Sequence, residues 1–285
     1  MGAFLRGNRL GLIVAVPFSA FIGLFLIYPS LVVLFKALTP GGAFGLSAMT
    51  RALSGTYRSG FINSAWLSLA SAVIGGAIGL ALALAVKGMT RPRWLHTTLD
   101  SWSAVASQLG GVPLAFAFIA TIGTQGLLTK LLMQLGVDPA NFGLSISGFW
   151  GLVFVYLYFQ IPLMFLVMTP AVHGLRETWR EAALILGASP LQYWRSVGLP
   201  LLLPATLGGI LLLFVNAFTA YSTAAVLNAS LNIVPLQIRF LLQGNVITGE
   251  EDLANAIVTW VIILLLLTLL LVTLLQRRAL RWTRS

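Results

Sequence analysis

Residues 181–200 read EAALILGASPLQYWRSVGLP and combine charge, aromatic side chains, glycines and prolines in one short passage. The passage lies between two long apolar runs, at about 149–170 and 201–225. Each run is long enough to cross a bilayer, so the polar passage between them should protrude from the membrane. Its helix-forming and helix-ending residues predict a short helical elbow, a shape suited to receiving force from a soluble protein.

The composition of the whole chain is typical of a membrane protein. Hydrophobic residues make up 58% of the 285 residues, charged residues make up only 8%, and the mean hydropathy is +0.95. Soluble domains carry roughly 25% charged residues. The chain has no cysteine, which excludes disulfides and thiolate metal sites, and its two histidines are too few for a histidine-rich metal cage.

Apolar runs near the roughly 20 residues that a bilayer requires occur six times. We therefore predict an all-α membrane protein with about six transmembrane helices, in which residues 1–285 form a single transmembrane domain. The first run is too long for a signal peptide, whose apolar core has roughly 7–15 residues. The predicted spans are 11–35, 62–86, 104–122, 149–170, 201–225 and 253–275.

The distribution of basic residues predicts the orientation of the chain. The net charge of +10 could indicate nucleic acid binding, but the 17 lysine and arginine residues lie between the apolar runs. Most of them fall on one side of the membrane if both termini are cytoplasmic, and cytoplasmic loops are enriched in these residues. We therefore predict cytoplasmic termini and a cytoplasmic segment 171–200, here called the elbow.

The first half of the elbow has the residues of a capped helix. Thr178 and Glu181 have the spacing of a capping box, in which the hydroxyl and the carboxylate each bind a backbone amide of the first turn. Gly187 is placed to end this helix in the left-handed conformation.

The second half of the elbow predicts another short helix. Ser189 can cap its start, with Pro190 at the first helical position. This helix should reach about Val197, and Pro200 should mark a further boundary before the fifth span. Capping alone would explain most of these residues, so an ordinary loop on the membrane surface is the alternative interpretation.

The elbow also resembles a known motif. Glu181-Ala182-Ala183, Gly187 and Val197-Gly198-Leu199-Pro200 have the order and spacing of the EAA loop of binding-protein-dependent ABC importer permeases, except that Val197 replaces the commoner isoleucine. The similarity extends to Asn63-Ser64 at the second span and to the start of the fifth span at Leu201–Pro204.

The resemblance implies the type I ABC importer permease fold, a location in the inner membrane, and a coupling helix seated in a groove of a cytoplasmic ATPase. It implies no catalysis and no cofactor in this chain, with ATP and Mg bound by the partner ATPase dimer. It further implies a second permease subunit, expected to be a different chain, and an extracytoplasmic solute-binding protein. The expected ATPase-coupling residues are Glu181, Ala182, Ala183, Gly187, Ser189, Pro190, Leu199 and Pro200.

The rest of the sequence agrees with an external source of energy. A phosphate-binding loop requires Gly-Lys followed by Ser or Thr, and none of Lys36, Lys87 and Lys130 follows a glycine. Ion-coupled carriers keep ionisable residues inside the membrane, whereas all seven acidic residues fall in predicted loops or at the edges of spans. His173 and Glu177 could face each other on a helix, but no nucleophile accompanies them.

Polar residues inside the spans are candidates for a translocation path. Gln160, Asn216 and Tyr221 are the selected residues, although such side chains often form hydrogen bonds between helices instead. The run of spans looks closest to permeases of the spermidine/putrescine group, so a polyamine-like solute is one expectation.

Two other functions remain open at the level of the sequence. One is an ion-coupled secondary transporter or channel that works without an ATPase. The other is a structural membrane subunit of a different complex, in which the elbow is only a docking loop.

Overall fold

The computed structural model describes residues 16–88, 93–136, 145–243 and 250–282. Regular secondary structure within these ranges is entirely helical, which confirms the predicted all-α class. The helices of the first half are α1 (Val16–Leu38, with a π-helical turn at Gly23–Ile27), α2 (Ser47–Arg51), α3 (Gly55–Gly88), α4 (Arg93–Gln108), α5 (Val112–Ile122) and α6 (Leu127–Gln134).

The second half of the chain contains six more helices within the described residues. Its helices are α7 (Phe149–His173), α8 (Glu177–Ile185), α9 (Pro190–Thr219, with a π-helical turn at Trp194–Gly198), α10 (Ser222–Leu227), α11 (Val234–Gln243) and α12 (Glu251–Trp282).

Six segments of the described residues are long and apolar enough to cross a membrane, which confirms the predicted number. Residues 11–15 of the first predicted span lie outside the described residues. The six segments are Val16–Leu38, Gly55–Gly88, Val112–Gln134, Phe149–His173, Pro190–Thr219 and Glu251–Leu275.

The third span differs most from its predicted bounds of 104–122. Residues 104–108 belong to α4, and the apolar segment begins only at Val112. The helical conformation is interrupted at Gly110 and Gly111. Gly111 has a φ of 76°, a conformation that glycine adopts without steric cost. Pro113 then suits the first turn of α5. The prediction joined the end of one helix to the start of the next.

The chain divides into two compact units. One comprises Met1–Arg58 with Gln237–Leu264, and the other comprises Ser59–Leu236 with Leu265–Ser285. All the residues selected from the sequence as a coupling site or a path lie in the second unit.

Polar contacts connect distant parts of the first unit. Arg51 forms an ion pair with Glu250 at 3.0 Å. The amide of Gly41 donates a hydrogen bond to Asp252 at 3.0 Å, and the indole of Trp260 donates to the carbonyl of Met49 at 3.1 Å. These contacts hold the segment around α2 against the start of α12.

In the second unit, α7 supplies the centre of the packing. Its first half contributes Leu152 and Phe159 to one buried apolar cluster, and its second half contributes Phe165 and Met168 to another. A helix that is apolar on all sides is expected to be buried by its neighbours.

Helices α3 and α7 approach closely because α3 presents glycines at their contact. A Cβ added at Gly75 would lie 2.8 Å from the Cβ of Gln160, and one at Gly79 would lie 2.6 Å from the Cβ of Met164. Small residues allow such close approach between membrane helices.

We expect Gly79→Ala to destabilise the protein, because the new methyl group would press on Met164 and on the carbonyl of Ile161, 2.7 Å away. Overpacking of this kind costs about 1–3 kcal/mol. Thermal unfolding in detergent should show a lower midpoint than wild type. The matched variant Gly88→Ala, whose Cβ meets no atom within 4 Å, should unfold like wild type. Equal midpoints for both variants would contradict the close packing.

Candidate functional site

The elbow includes the end of α7 at His173, and its first complete helix, α8, begins at Glu177. The capping box predicted for Thr178 and Glu181 is wrong, because α8 starts before Thr178 and its N-cap residue, Arg176, makes no side-chain capping bond. Glu177 instead places a carboxylate in the first turn, where it is favourable. It also pairs with Arg180 at 2.6 Å.

Helix α8 rests on the bundle mainly through one aromatic side chain. None of its nine residues is buried. Trp179 is half-buried and packs against the apolar cluster that contains Val172 and Leu175. Ala183, one turn later, is also half-buried, whereas Glu181 and Ala182 are exposed. The two alanines selected from the sequence therefore differ in accessibility.

Gly187 ends α8 as predicted. Its φ is 79°, its amide donates to the carbonyl of Leu184 at 2.9 Å, and the amide of Ala188 donates to the carbonyl of Ala183 at 2.9 Å. This pair of bonds is the Schellman motif, which satisfies carbonyls at the end of a helix. The turn requires a positive φ at Gly187, so it depends on glycine.

The cap predicted at Ser189 is confirmed. The Ser189 hydroxyl accepts a hydrogen bond from the amide of Gln192 at 3.3 Å, and Pro190 occupies the first turn. The Gln192 side chain in turn accepts from the amide of Ser189 at 2.7 Å, which completes a capping box. The sequence interpretation missed Gln192, although the spacing Ser-x-x-Gln could have identified it.

The second helix of the elbow does not end near Val197. It continues through the π-helical turn Trp194–Gly198 into the fifth span, so the boundary predicted at Pro200 is wrong. A proline inside a helix lacks an amide donor and its ring clashes with the carbonyl four residues earlier. Membrane helices accommodate this by local π-helical adjustment, and here the amide of Leu199 bonds the carbonyl of Trp194.

The end of α8 exposes an apolar surface. Ile185 and Leu186 are each 86% exposed, the highest values among the large apolar side chains of the described residues, and Leu184 is 51% exposed. These three residues, here called the apolar tip, lie between two spanning segments, Phe149–His173 and Pro190–Thr219. Their exposure depends on tertiary packing, which explains why the sequence interpretation selected the neighbouring alanines instead.

Two of the three predicted path residues line one cavity. Asn216 and Tyr221 are both among its lining residues. The cavity has a volume of about 340 Å³, within the usual range of small-molecule sites, which is roughly 300–1,000 Å³. Ser107 and Gln108 from α4 and Ser222 from α10 add polar groups, and no lining residue is charged. We call this space the polar cavity.

The polar cavity lies where two helices are interrupted. The breaks are at Gly110–Gly111, between α4 and α5, and at Ala220–Tyr221, between α9 and α10. The amide of Gly111 donates to the Thr223 hydroxyl at 2.9 Å, and the Tyr156 hydroxyl donates to the carbonyl of Ala220 at 3.0 Å. Side chains therefore satisfy backbone groups that the breaks release.

Gln160 does not line the polar cavity. It is completely buried, and its amide nitrogen donates to the Ser71 hydroxyl of α3 at 2.8 Å. The structure thus places Gln160 in a helix–helix contact, the alternative that the sequence left open, and separates it from Asn216 and Tyr221.

Residues 75–285 match the family of the binding-protein-dependent transport system inner membrane component. The chain is 24% identical over 264 residues to a ferric transport system permease protein of Actinobacillus pleuropneumoniae, covering 92% of this chain and 36% of that protein. It is 33% identical over 123 residues to a spermidine/putrescine transport system permease protein of Haemophilus influenzae, covering 43% of this chain and 46% of that protein. The chain spans little more than a third of the length of the curated ferric permeases it matches.

The fold also has a solved counterpart. A chain of a bacterial alginate ABC transporter, in complex with alginate pentasaccharide-bound periplasmic protein, superposes with a TM-score of 0.72 at 15% identity, over 99% of this chain and 98% of that chain. At this identity the likeness concerns the fold. The family match covers most of the chain and agrees with its six spanning segments. This chain is a multi-pass membrane protein that belongs to the binding-protein-dependent transport system inner membrane components, the permeases of ABC importers.

Proposed function

We propose that this chain is a permease subunit of an ATP-driven importer and that a separate ATPase moves it through the elbow. The observation that carries the proposal is the exposed end of α8. A helix capped at Gly187, with no buried residue of its own, presents Glu181 and the apolar tip outside the spanning segments. Contiguous exposed apolar surface marks an interaction site.

The proposal assigns the remaining parts as follows. The elbow faces the cytoplasm, and both termini lie on that side. An ATPase dimer that binds ATP and Mg receives the coupling residues Glu181, Ala182, Ala183 and Gly187. Ser189 and Pro190 fix the turn behind them, while Leu199 and Pro200 lead into the fifth span. A second permease chain and an extracytoplasmic solute-binding protein complete the transporter.

We further propose that the polar cavity belongs to the translocation path. Asn216 and Tyr221 would contact the solute, together with the hydroxyl and amide groups around them. An uncharged lining suits a small polar solute that must be released again, since conduction requires weak binding. Gln160 is not included in this path.

The identity of the solute is the finer part of the proposal. By their names, relatives of this chain carry ferric iron, spermidine and putrescine, or sulfate. A polyamine-like solute stays a candidate, with the aromatic rings of Phe159 and Tyr221 at the polar cavity as possible contacts for ammonium groups. The lack of a carboxylate among the lining residues gives it no specific support.

The alternative is a secondary transporter or channel that needs no ATPase. It predicts solute flux through liposomes that contain this chain, with or without a second permease, when neither ATPase nor ATP is present. The importer proposal predicts flux only when the ATPase, ATP and the loaded binding protein are all supplied.

We expect Gly187→Val to uncouple the transporter, because valine strongly disfavours the positive φ on which the Schellman turn depends. For residues with a Cβ this conformation costs about 1–2 kcal/mol, enough to shift the turn roughly tenfold toward other conformations. Solute-stimulated ATP hydrolysis by the purified transporter should fall accordingly. Gly187→Asn, which tolerates the left-handed conformation, is the matched control and should retain most of the activity. Unchanged coupling in Gly187→Val would contradict the role of the turn.

The polar cavity can be tested by labelling, because the natural chain contains no cysteine. We expect Asn216→Cys to react with a water-soluble methanethiosulfonate in the assembled transporter, and the label to reduce solute uptake by obstructing the path. Gln160→Cys, at a buried helix contact, should not react. Labelling of both positions at equal rates, or full uptake after labelling of Asn216→Cys, would remove the polar cavity from the path.

A further inference from the structure

The side chain of Lys87 connects the end of one spanning helix to the start of the elbow. Lys87 is the penultimate residue of α3. Its ammonium group donates hydrogen bonds to the carbonyl of Val172 at 2.9 Å and to the carbonyl of Leu175 at 2.5 Å. Val172 lies in the last turn of α7, and Leu175 lies between α7 and α8. One cation therefore holds the backbone on both sides of the point where the elbow leaves the span.

The two acceptors lie at and just beyond the end of α7, where the carbonyl of Val172 also accepts the amide of Leu175 at 3.2 Å. The last carbonyls of an α-helix have no partner within the helix, and they carry the negative end of its dipole. An ammonium group is favourable there, and bonds to charged groups are stronger than neutral ones. The side chains of Val172 and Leu175 are themselves buried, so apolar packing and the polar contact act on the same short segment.

Few other contacts hold the elbow at this end. Helix α8 buries no residue, and Trp179 is its main apolar contact with the bundle. The ion pair of Glu177 and Arg180 lies within α8 itself and does not join it to a span. The two hydrogen bonds of Lys87 are therefore among the contacts that fix the direction in which α8 leaves α7.

Helices α3 and α7 are joined tightly along their length. The close approach at Gly75 and Gly79 and the hydrogen bond from Gln160 to Ser71 hold them together inside the membrane. The contact of Lys87 extends this pair to the elbow. Force applied to α8 would then reach two spans together.

We infer that Lys87 is a positioning residue that makes α3, α7 and the elbow move as one body. This inference rests on the proposed function for its consequence, because a movable elbow matters only if an ATPase displaces it. Without Lys87, α8 would swing on the segment 174–176 while the two spans stayed in place. ATP would still be hydrolysed, but less of the motion would reach the spans.

The test uses the complete transporter in lipid nanodiscs and measures distances between spin labels. Nitroxide labels are placed at Thr178→Cys on α8, outside the proposed ATPase contact, and at Leu69→Cys on α3, both of which are exposed and have no competing natural cysteine. Distances are recorded without nucleotide and after trapping with ATP, Mg and vanadate. A second pair, Leu69→Cys with Phe154→Cys, reports on the two spans alone.

Lys87→Met keeps the aliphatic stem and removes the donors. We expect it to raise the fraction of molecules in which α8 is displaced from its position in wild type about tenfold, which corresponds to the free energy of a hydrogen bond to a charged group. The Leu69–Phe154 distance and the thermal midpoint should not change. Lys87→Arg, which keeps charge and donors, should preserve the narrow Leu69–Thr178 distribution. Lys130→Met, at an exposed lysine of α6, is the control for charge loss and should behave like wild type.

Three results would overturn the inference. The Leu69–Thr178 distribution could stay narrow in Lys87→Met, or it could broaden equally in Lys87→Arg. It could also broaden together with the Leu69–Phe154 distance and a lower thermal midpoint, which would assign Lys87 a general structural role. Failure of the proposed function can be distinguished from failure of this inference. In the first case the ATPase would not co-purify with the wild-type chain, while the distances measured without nucleotide would still report on the role of Lys87.

Discussion

The hydrocarbon core of a bilayer offers no hydrogen-bond partner to the backbone, and this constraint shapes the whole chain. Every amide and carbonyl at membrane depth must be satisfied within the protein, which is why spanning segments are helices. The described residues follow this rule, with six helical segments long enough to cross. Departures from continuous helix are costly, so each of them requires a local compensation that can be identified.

The departures coincide with the sites that carry the proposed function. At the polar cavity, the hydroxyls of Thr223 and Tyr156 bind backbone groups beside the two helix breaks. At the elbow, the Schellman turn at Gly187 and the capping box at Ser189 satisfy two helix ends, and Lys87 adds two hydrogen bonds at the end of α7. Irregular backbone thus occurs at the places where the chain is proposed to bind solute or transmit force.

Hydropathy and capping chemistry made much of this architecture predictable. Six long apolar runs correspond to six spans because the membrane selects length and apolarity directly, and the signals at Gly187 and Ser189 are local. The start of α8 was predicted too late, because Thr178 matched a capping pattern although the helix already begins at Glu177. Pro200 was taken as a boundary because the sequence does not reveal a π-helical turn that accommodates proline.

Tertiary contacts account for what the sequence could not provide. Gln160 and Asn216 are both polar residues within apolar runs, yet one is buried against Ser71 and the other lines the polar cavity. Likewise, the sequence does not distinguish Ile185 from other apolar helix residues. In the structure Trp179 of the same helix packs against the bundle, whereas Ile185 is exposed.

Contact between the apolar tip and an ATPase is the central claim, and a cross-link measures it most directly. A photoreactive benzophenone maleimide attached to Ile185→Cys should cross-link the ATPase subunit in the assembled transporter, with a yield that changes when ATP and vanadate are added. The same reagent on Phe44→Cys, exposed in the loop between α1 and α2, should give no such product. Cross-links from Ile185→Cys only to lipid, with the ATPase present and active, would contradict the claim.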